Sequence, residues 1–454
     1  LFTRYKLSRY NVLVEDNGTH LLYNQVSGVL VKLNDRLREY QKIGKTTLCF
    51  SSFKRKLRKH KFLVPADQDE LEEFKEFFHR YVANNREKRL VIVVTGRCNA
   101  NCFYCYEKEG CDQRCSTDMS ADVQNQLVRF VDRCISATPT DRLTITWYGG
   151  EPLLRPDIVY DLAVQLREVC KKRGVVFSNN IITNGILLND EVIDKLLAID
   201  CRSVQITIDG LREFHDKRRP IVNSTASSYD TIMENLIAGY SKGLEIDVRS
   251  NLDYSNCQNY RDFLSEMFEK GLNKRNEAGG IVCPAPAVTR FPKGLAMKQE
   301  DFAAVTNAAI EMLKGKTERY RFLARMMPGC MKHMPCYYNV SPDGSLTKCI
   351  GHLFDDSEAV GTIFDLELAE KDSALAPTPF EDPECVACPY LPSCGGGCVD
   401  RHKKYDHQPT SCSNACSSVC HYGGCQPVRW TLEKAIVGLY HYLEDRGELG
   451  GHKE

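Results

Sequence analysis

Leu90-Val91-Ile92-Val93-Val94-Thr95-Gly96-Arg97-Cys98-Asn99-Ala100-Asn101-Cys102-Phe103-Tyr104-Cys105 is the stretch on which the fold turns. Residues 90–95 are apolar and mostly β-branched, the pattern of a buried strand. Three thiols follow within eight residues, on what must then be a loop. Outward from this point the pattern repeats. Strand-like runs at 143–148, 175–183, 203–209, 245–251 and 280–285 alternate with amphipathic stretches at 123–135, 158–170, 192–199, 229–240 and 260–268. In the first of these, Val123, Leu127, Phe130, Val131 and Cys134 recur on one helical face. Six β–α units predict an α/β fold: a parallel sheet with right-handed crossovers, open or curled into a partial (β/α)6 TIM-like barrel. Ligands of such sheets bind outside the carboxyl ends of the strands, where the three thiols lie.

With 454 residues, 43% of them hydrophobic, the chain can fill a sizeable core shared among roughly two to four domains. Lys plus Arg equals Asp plus Glu, at 60 each, so net charge points to neither nucleic acid nor a membrane surface. No apolar run approaches the ~20 residues of a membrane helix, and residues 1–10 lack the apolar core of a signal peptide. The unusual total is 22 cysteines. A disulfide scaffold of that density would be short and loop-rich. Here the cysteines form ligand-like clusters within a helix-and-strand chain, which points to metal ligation in a reducing cytoplasm.

Residues 1–88 predict a small α+β, winged-helix-like domain. Short antiparallel strands at 11–15, 21–24 and 29–32 are joined by turns at Asn17-Gly18 and Ser27-Gly28. A helix over 70–82 follows, with Leu71, Phe74, Phe77, Phe78 and Tyr81 on one face. The α/β core is expected over 89–290, and a bridging segment over 291–328 with its helix at 301–313. A Cys-, Gly- and Pro-rich region over 329–454, held by metal more than by a core, ends in a helix near 432–443.

Three thiolates on one loop can reach three irons of a cubic [4Fe–4S] cluster and leave the fourth iron open to a substrate. An isolated triad also suits a zinc ion or plain structural cysteines. The second strand ends in Thr146-Trp147-Tyr148-Gly149-Gly150-Glu151-Pro152, two glycines that let backbone approach a ligand and then a carboxylate; alone, this is also a common turn. Thr183-Asn184-Gly185 ends the third strand, as a ligand contact or as a turn in which Asn tolerates a left-handed backbone. Near the other end lies Cys385-x2-Cys388-x5-Cys394-x3-Cys398 with Gly395-Gly396-Gly397 inside it. Cys330-x5-Cys336 and Cys349, preceded by the turn Pro342-Asp343-Gly344, lie upstream. That array can serve iron–sulfur clusters or one or two structural zinc ions.

On these residues the sequence resembles the radical S-adenosylmethionine (SAM) superfamily, whose signature is Cys-x3-Cys-x2-Cys with an aromatic, here Tyr104, before the last cysteine. The resemblance implies that Cys98, Cys102 and Cys105 hold a [4Fe–4S] cluster whose open iron chelates SAM. One electron then splits SAM into methionine and a 5′-deoxyadenosyl radical, which abstracts hydrogen from substrate. It places Tyr104 near the adenine, Gly149, Gly150 and Glu151 around the SAM ammonium, and Asn184 beside the cofactor. The stretch Gln205-Ile206-Thr207-Ile208-Asp209-Gly210 with His215-Asp216-Lys217-Arg218-Arg219 resembles a segment of the peptide-modifying branch. By that likeness Arg219 pairs with the SAM carboxylate; otherwise the run is a solvated face. Arg249 and Asn251 are further candidates. The second array resembles the SPASM extension, which implies auxiliary clusters on Cys330, Cys336, Cys349 and Cys398, and on Cys385, Cys388, Cys394 and one later cysteine. Of Cys412, Cys416, Cys420 and Cys425, the last, in Gly424-Cys425-Gln426-Pro427, resembles the family's final ligand, with Cys416 the alternative. The implied cofactors are three [4Fe–4S] clusters and SAM. No catalytic acid or base is legible.

Members of this subgroup mostly modify peptides and proteins. Sulfatase maturases carry an Asp after the cysteine matching Cys349, where this chain has Ile350. That favours a maturase installing a thioether, C–C cross-link or related modification in a ribosomally made precursor peptide, over oxidation of a residue in a folded protein. The segment with Leu21-Leu22-Tyr23-Asn24 and Ser27-Gly28 resembles the leader-recognition domain of such maturases, which adds the leader as a strand to a sheet edge; a structural cap is the other reading. Residues 54–61, seven basic of eight, either attract an acidic leader or form a solvated face. The expected partners are a precursor peptide and an external flavodoxin- or ferredoxin-like electron donor. A non-enzymatic iron–sulfur or zinc scaffold is the remaining class.

Overall fold

The computed structural model describes residues 3–33, 36–44, 47–105, 107, 116–287, 295, 297–313, 330–335, 337–367, 378–397, 399 and 428–448. Near the amino terminus β1 (Tyr5–Leu7) pairs antiparallel with β5 (Leu63–Pro65), two strands too short to show an alternating pattern in the sequence. Between them β2 (Asn11–Asp16), β3 (Thr19–Asn24) and β4 (Val29–Lys32) form a three-stranded antiparallel sheet. Asn17 and Gly18 are both left-handed (φ 48° and 77°), the conformation that an Asn-Gly hairpin turn requires. Helices α1 (Leu37–Gln41), α2 (Ser52–Lys59) and α3 (Glu70–Ala83) complete this part. Asp69 caps α3 by accepting from the backbone N–H groups of Leu71 and Glu72. The buried stripe of α3 is Glu70, Phe74, Phe78 and Val82, spaced by four. Phe77 and Tyr81, expected on that face, are instead exposed and stacked on each other, because the aromatic arc is wider than the surface that covers it.

The central sheet is built from β6 (Glu87–Thr95), α4 (Ala121–Ala137), β7 (Arg142–Gly149), α5 (Pro156–Arg173), β8 (Val176–Thr183), α6 (Asp190–Ala198), β9 (Ser203–Thr207), α7 (Arg212–Arg218), α8 (Ser228–Ser241), β10 (Glu245–Asn251), α9 (Tyr260–Glu269) and β11 (Ile281–Ala287). The six strands run parallel, in spatial order β11-β10-β9-β8-β7-β6. One face of each strand meets the helices. Ile145, Trp147, Ile181, Ile206 and Val248 are fully buried there with Leu162, Leu236 and Phe263, each side chain contributing about 1.5–3 kcal/mol.

After α10 (Gln299–Leu313) the chain does something the sequence did not announce. β12 (Tyr337–Val340) pairs parallel with β6, and turns into β13 (Ser345–Thr347) and β14 (Ala359–Thr362), extending the sheet to nine strands among the described residues. The Cys-rich region is therefore rooted in the main core through Tyr338, Val340, Leu346 and Ile363, and not on metal alone. Short helices α11 (Pro383–Ala387) and α12 (Leu391–Cys394) follow, and α13 (Val428–Asp445) closes the described chain. Val12, Val14, Leu21 and Tyr23 of the amino-terminal sheet share a core with Ile310 of α10 and with Leu432 and Ile436 of α13. No helix among the described residues is long and apolar enough to cross a membrane.

Candidate active site

The loop after β6 is held on both sides by backbone. Asn101 and Phe103 donate to the carbonyls of Pro220 (2.8 Å) and Arg218 (3.3 Å), and Val222 donates to Asn99 (2.9 Å), so residues 99–103 are laced to the end of α7 and its following turn. On the other side Gly150 and Glu151 donate to the carbonyls of Thr95 (3.0 Å) and Arg97 (2.8 Å). A Cβ on Gly149 would sit 2.2 Å from the Thr95 oxygen, and one on Gly150 2.4 Å from that of Arg97. These glycines let the end of β7 approach the backbone of Thr95–Arg97, at the entrance of the cysteine loop. At the loop's entrance Asp118 accepts from Thr95 Oγ1 (2.6 Å), Arg97 Nε (2.9 Å) and Arg155 Nη1 (2.8 Å). Burial works against the Asp118 charge, but these bonds outweigh it and hold the carboxyl at about 2.

Glu151 is fully buried and spends its oxygens on Leu153 N (3.0 Å), Thr183 Oγ1 (2.7 Å) and Asn184 N (2.7 Å). Burial raises its pKa against these three donors. It thus pins the ends of β7 and β8 together. Asn184 extends Nδ2 to Asn99 Oδ1 (2.7 Å) and lies 3.8 Å from Cys98 Sγ, so the third strand's end reaches the cysteine loop directly. Burial pushes the Cys98 thiol up to about 12; a thiolate there needs the positive charge of a bound metal.

Tyr104 points into a buried polar network. Its hydroxyl donates to Asp209 Oδ2 and accepts from Arg219 Nη1 (2.8 Å) and Asn251 Nδ2 (3.1 Å). The two neighbouring arginines have different tasks. Arg218 is committed to Asp253 (2.8 Å) and Asp209 (3.4 Å), both fully buried, and lies over the rings of Phe103 and Tyr104. Arg219 is also buried, yet its Nε has no hydrogen-bond partner among the described residues. Burial opposes its charge, but Cys102, Tyr104 and Asp209 outweigh that and keep it cationic. A buried guanidinium edge left unpaired costs free energy unless an anion meets it. The network, the glycine approach and three thiols on one strand-end loop fit a cluster with a carboxylate-bearing cofactor beside it.

The Radical SAM superfamily profile matches residues 92–264, from β6 to α9. This part of the chain is a radical SAM region. The chain is 34% identical over 130 residues to a serine-type anaerobic sulfatase-maturating enzyme of Bacteroides thetaiotaomicron, covering 29% of this chain and 31% of that protein. Another serine-type enzyme, of Klebsiella aerogenes, is 26% identical over 326 residues, covering 66% and 76%. The chain spans less than half the length of the first curated relatives it matches. Among solved structures the fold is similar to anSMEcpe with bound AdoMet and the Kp18Cys peptide, at TM-score 0.58 and 16% identity over 79% of this chain and 98% of that one. It is also similar to Streptococcus suis SuiB bound to the precursor peptide SuiA, at TM-score 0.51 and 13% identity over 92% and 99%. The superfamily implies a [4Fe–4S] cluster and SAM.

Outside the radical SAM core the cysteines are held differently. Cys385 lies in α11, Cys388 follows it, and Cys394 ends α12, before Gly395, Gly396 and Gly397, all with positive φ. Cys330 and Cys349 each precede a short 3-10 turn. All of these cysteines are half-buried. Cys336, Cys398, Cys412, Cys416, Cys420 and Cys425 lie outside the described residues. Among the described residues no three His, Cys, Asp or Glu side chains converge on a single ion; a cubane asks instead for one thiolate per iron.

Asp209 and Arg218 carry no role legible in the sequence, since their partners Tyr104 and Asp253 are too distant along the chain to signal the network. Glu107 is equally unmarked. Burial pushes the Glu107 carboxyl up to about 7 against a 2.6 Å bond from the Tyr148 hydroxyl. Its proximity to Cys105 was the one available hint.

Proposed function

We propose that this chain is a peptide maturase that generates a radical from SAM at the Cys98–Cys102–Cys105 loop. The cofactor pair, when bound, would supply a 5′-deoxyadenosyl radical by one-electron cleavage of SAM. The chain's own residues bind and shield it. Cys98, Cys102 and Cys105 would hold the cluster, and the open Nε edge of Arg219 would take the SAM carboxylate. Glu151, Gly149 and Gly150 would bring the strand ends up to the SAM ammonium, with Asn184 beside the cluster loop and Tyr104 holding Arg219 in place. The array would hold two auxiliary clusters, one on Cys330, Cys336, Cys349 and Cys398, the other on Cys385, Cys388, Cys394 and Cys425, for three in all. An external flavodoxin- or ferredoxin-like protein would supply the electron.

The observation that carries the peptide substrate is the sheet β2-β3-β4. Both of its outer strands lack a further partner among the described residues, so a leader can be added as a strand. Basic helix α2 nearby would favour an acidic leader. SuiB, of similar fold, is described with a bound precursor peptide. The sulfatase-maturating relatives favour a second reading, oxidation of a residue in a sulfatase. Ile350, where those enzymes resemble one another in carrying Asp, argues against it. Mass spectrometry of a precursor peptide encoded beside the gene, coexpressed with this chain, is expected to show loss of two hydrogens per link. An unmodified precursor together with formylglycine on a sulfatase peptide would establish the second reading instead. Serine at Cys425 is expected to cost about four irons; full iron in that variant, with loss in Cys416→Ser, would transfer the ligand role.

A further inference from the structure

The amino-terminal domain reaches the cysteine array as well as α13. Arg9 Nη2 donates to the carbonyls of Val386 and Ala387 (both 3.0 Å), the two residues between Cys385 and Cys388. Gln25 Nε2 donates to Pro389 O (2.8 Å) and to Tyr10 O (3.1 Å), linking the array's backbone to the start of β2. Tyr10 and Phe74 share an apolar cluster with Leu391, and Cys385 packs against it. The array is thus lined on one side by residues some 360 positions earlier in the chain. Arg9 is itself anchored, since its backbone N–H donates to the buried Glu70 at the start of α3 (2.9 Å).

Two buried hydroxyls at this junction have no hydrogen-bond partner among the described residues, those of Tyr10 and of Ser393, the residue before Cys394. Buried hydroxyl groups left unpaired are uncommon and costly. Tyr10 also lies within the electrostatic reach of Cys388, as well as of Glu70 and Asp69. The Tyr390 N–H already donates to Cys388 Sγ (3.4 Å), so this segment presents donors toward its sulfurs.

We propose that Arg9, Tyr10 and Gln25 are positioning residues of the auxiliary centre: the amino-terminal domain forms one wall of the array and tunes the group that Cys385, Cys388 and Cys394 hold. The inference rests on reading those cysteines as cluster ligands. Arg9 and Gln25 hold the 386–389 carbonyls in place, and Tyr10 supplies a hydroxyl dipole that stabilises the reduced, more negative cluster. Hydrogen bonds and solvent access are among the protein's controls over iron–sulfur potentials.

The test uses the anaerobically reconstituted full chain. The array's paramagnetic signal is first identified as the one lost in Cys388→Ser. Tyr10→Phe keeps the ring and its packing. It is expected to retain the wild-type iron content while moving that signal's reduction potential to a more negative value, with the triad signal unmoved. Arg9→Met combined with Gln25→Leu is expected to speed amide exchange across 386–391 roughly fivefold per hydrogen bond removed. Arg9→Lys, a point charge in place of a fork, is expected to recover part of the protection. Unchanged potential and unchanged exchange in these variants, in a protein that holds the array cluster, would overturn the inference alone. A wild-type protein with no Cys388-dependent cluster signal would overturn the ligand reading and this inference with it.

Discussion

The loop carrying Cys98, Cys102 and Cys105 and the segment carrying Cys385, Cys388 and Cys394 offer the same side chain in different settings. The loop lies at the end of a strand paired on both sides, its backbone laced to residues 218–222 and to Gly150 and Glu151. It would keep its shape with no metal present. The segment consists of two short helices and three left-handed glycines, and it takes much of its support from Arg9, Tyr10 and Gln25. An open site that must bind and release SAM gains from a preformed frame. If the segment holds a closed cluster, as proposed, that group would stay permanently, and binding and folding would be one event.

Four experiments bear on that difference. Replacing Cys98, Cys102 and Cys105 together by Ala is expected to abolish 5′-deoxyadenosine formation while leaving about eight irons in the array. Loss of all iron would mean that the two regions are not independent. Arg218→Met leaves Asp209 and Asp253 buried without their cation, and is expected to cost ~3–5 kcal/mol in chemical denaturation. A cost under about 1 kcal/mol would show that the loop does not depend on this network. Removing the metal is expected to raise amide exchange across 385–397 by on the order of a hundredfold, with little change at 99–103 and 218–222; equal exposure of both would erase the contrast. The smallest effect is that of pH on the loop's entrance. The folded Asp118 carboxyl, at about 2, lies below its unfolded value near 3.9, so its contribution is complete above about pH 4 and is lost as pH falls toward 2. Allowing for partial exposure, Asp118→Asn should remove ~1–2 kcal/mol of stability at neutral pH and flatten this acid limb.

Much was legible in the chain itself. The alternation of apolar runs and amphipathic stretches located all six core strands to within a few residues, because each must bury one face against helices of regular period. The cysteine spacings and the Gly-Gly-Glu stretch marked two strand ends that the structure brings together, because loop ligands must be close in sequence to reach one group. The Asn17-Gly18 hairpin was equally local.

What only the tertiary structure decided involves partners far apart in the chain. Nothing in Tyr337–Val340 says that it will pair with β6, since four mostly apolar residues suit many sheet edges. Arg218 and Arg219 are adjacent and identical in type, and one is committed to Asp253 while the other keeps a free edge, a distinction set by the directions in which the end of α7 points them. The same holds for Arg9 and Gln25, polar residues of ordinary context whose partners lie beyond residue 385. Short-range pattern is imposed by backbone geometry and burial, which every sequence window carries. Long-range pairing follows from which surfaces meet once those elements have formed, and no single window carries it.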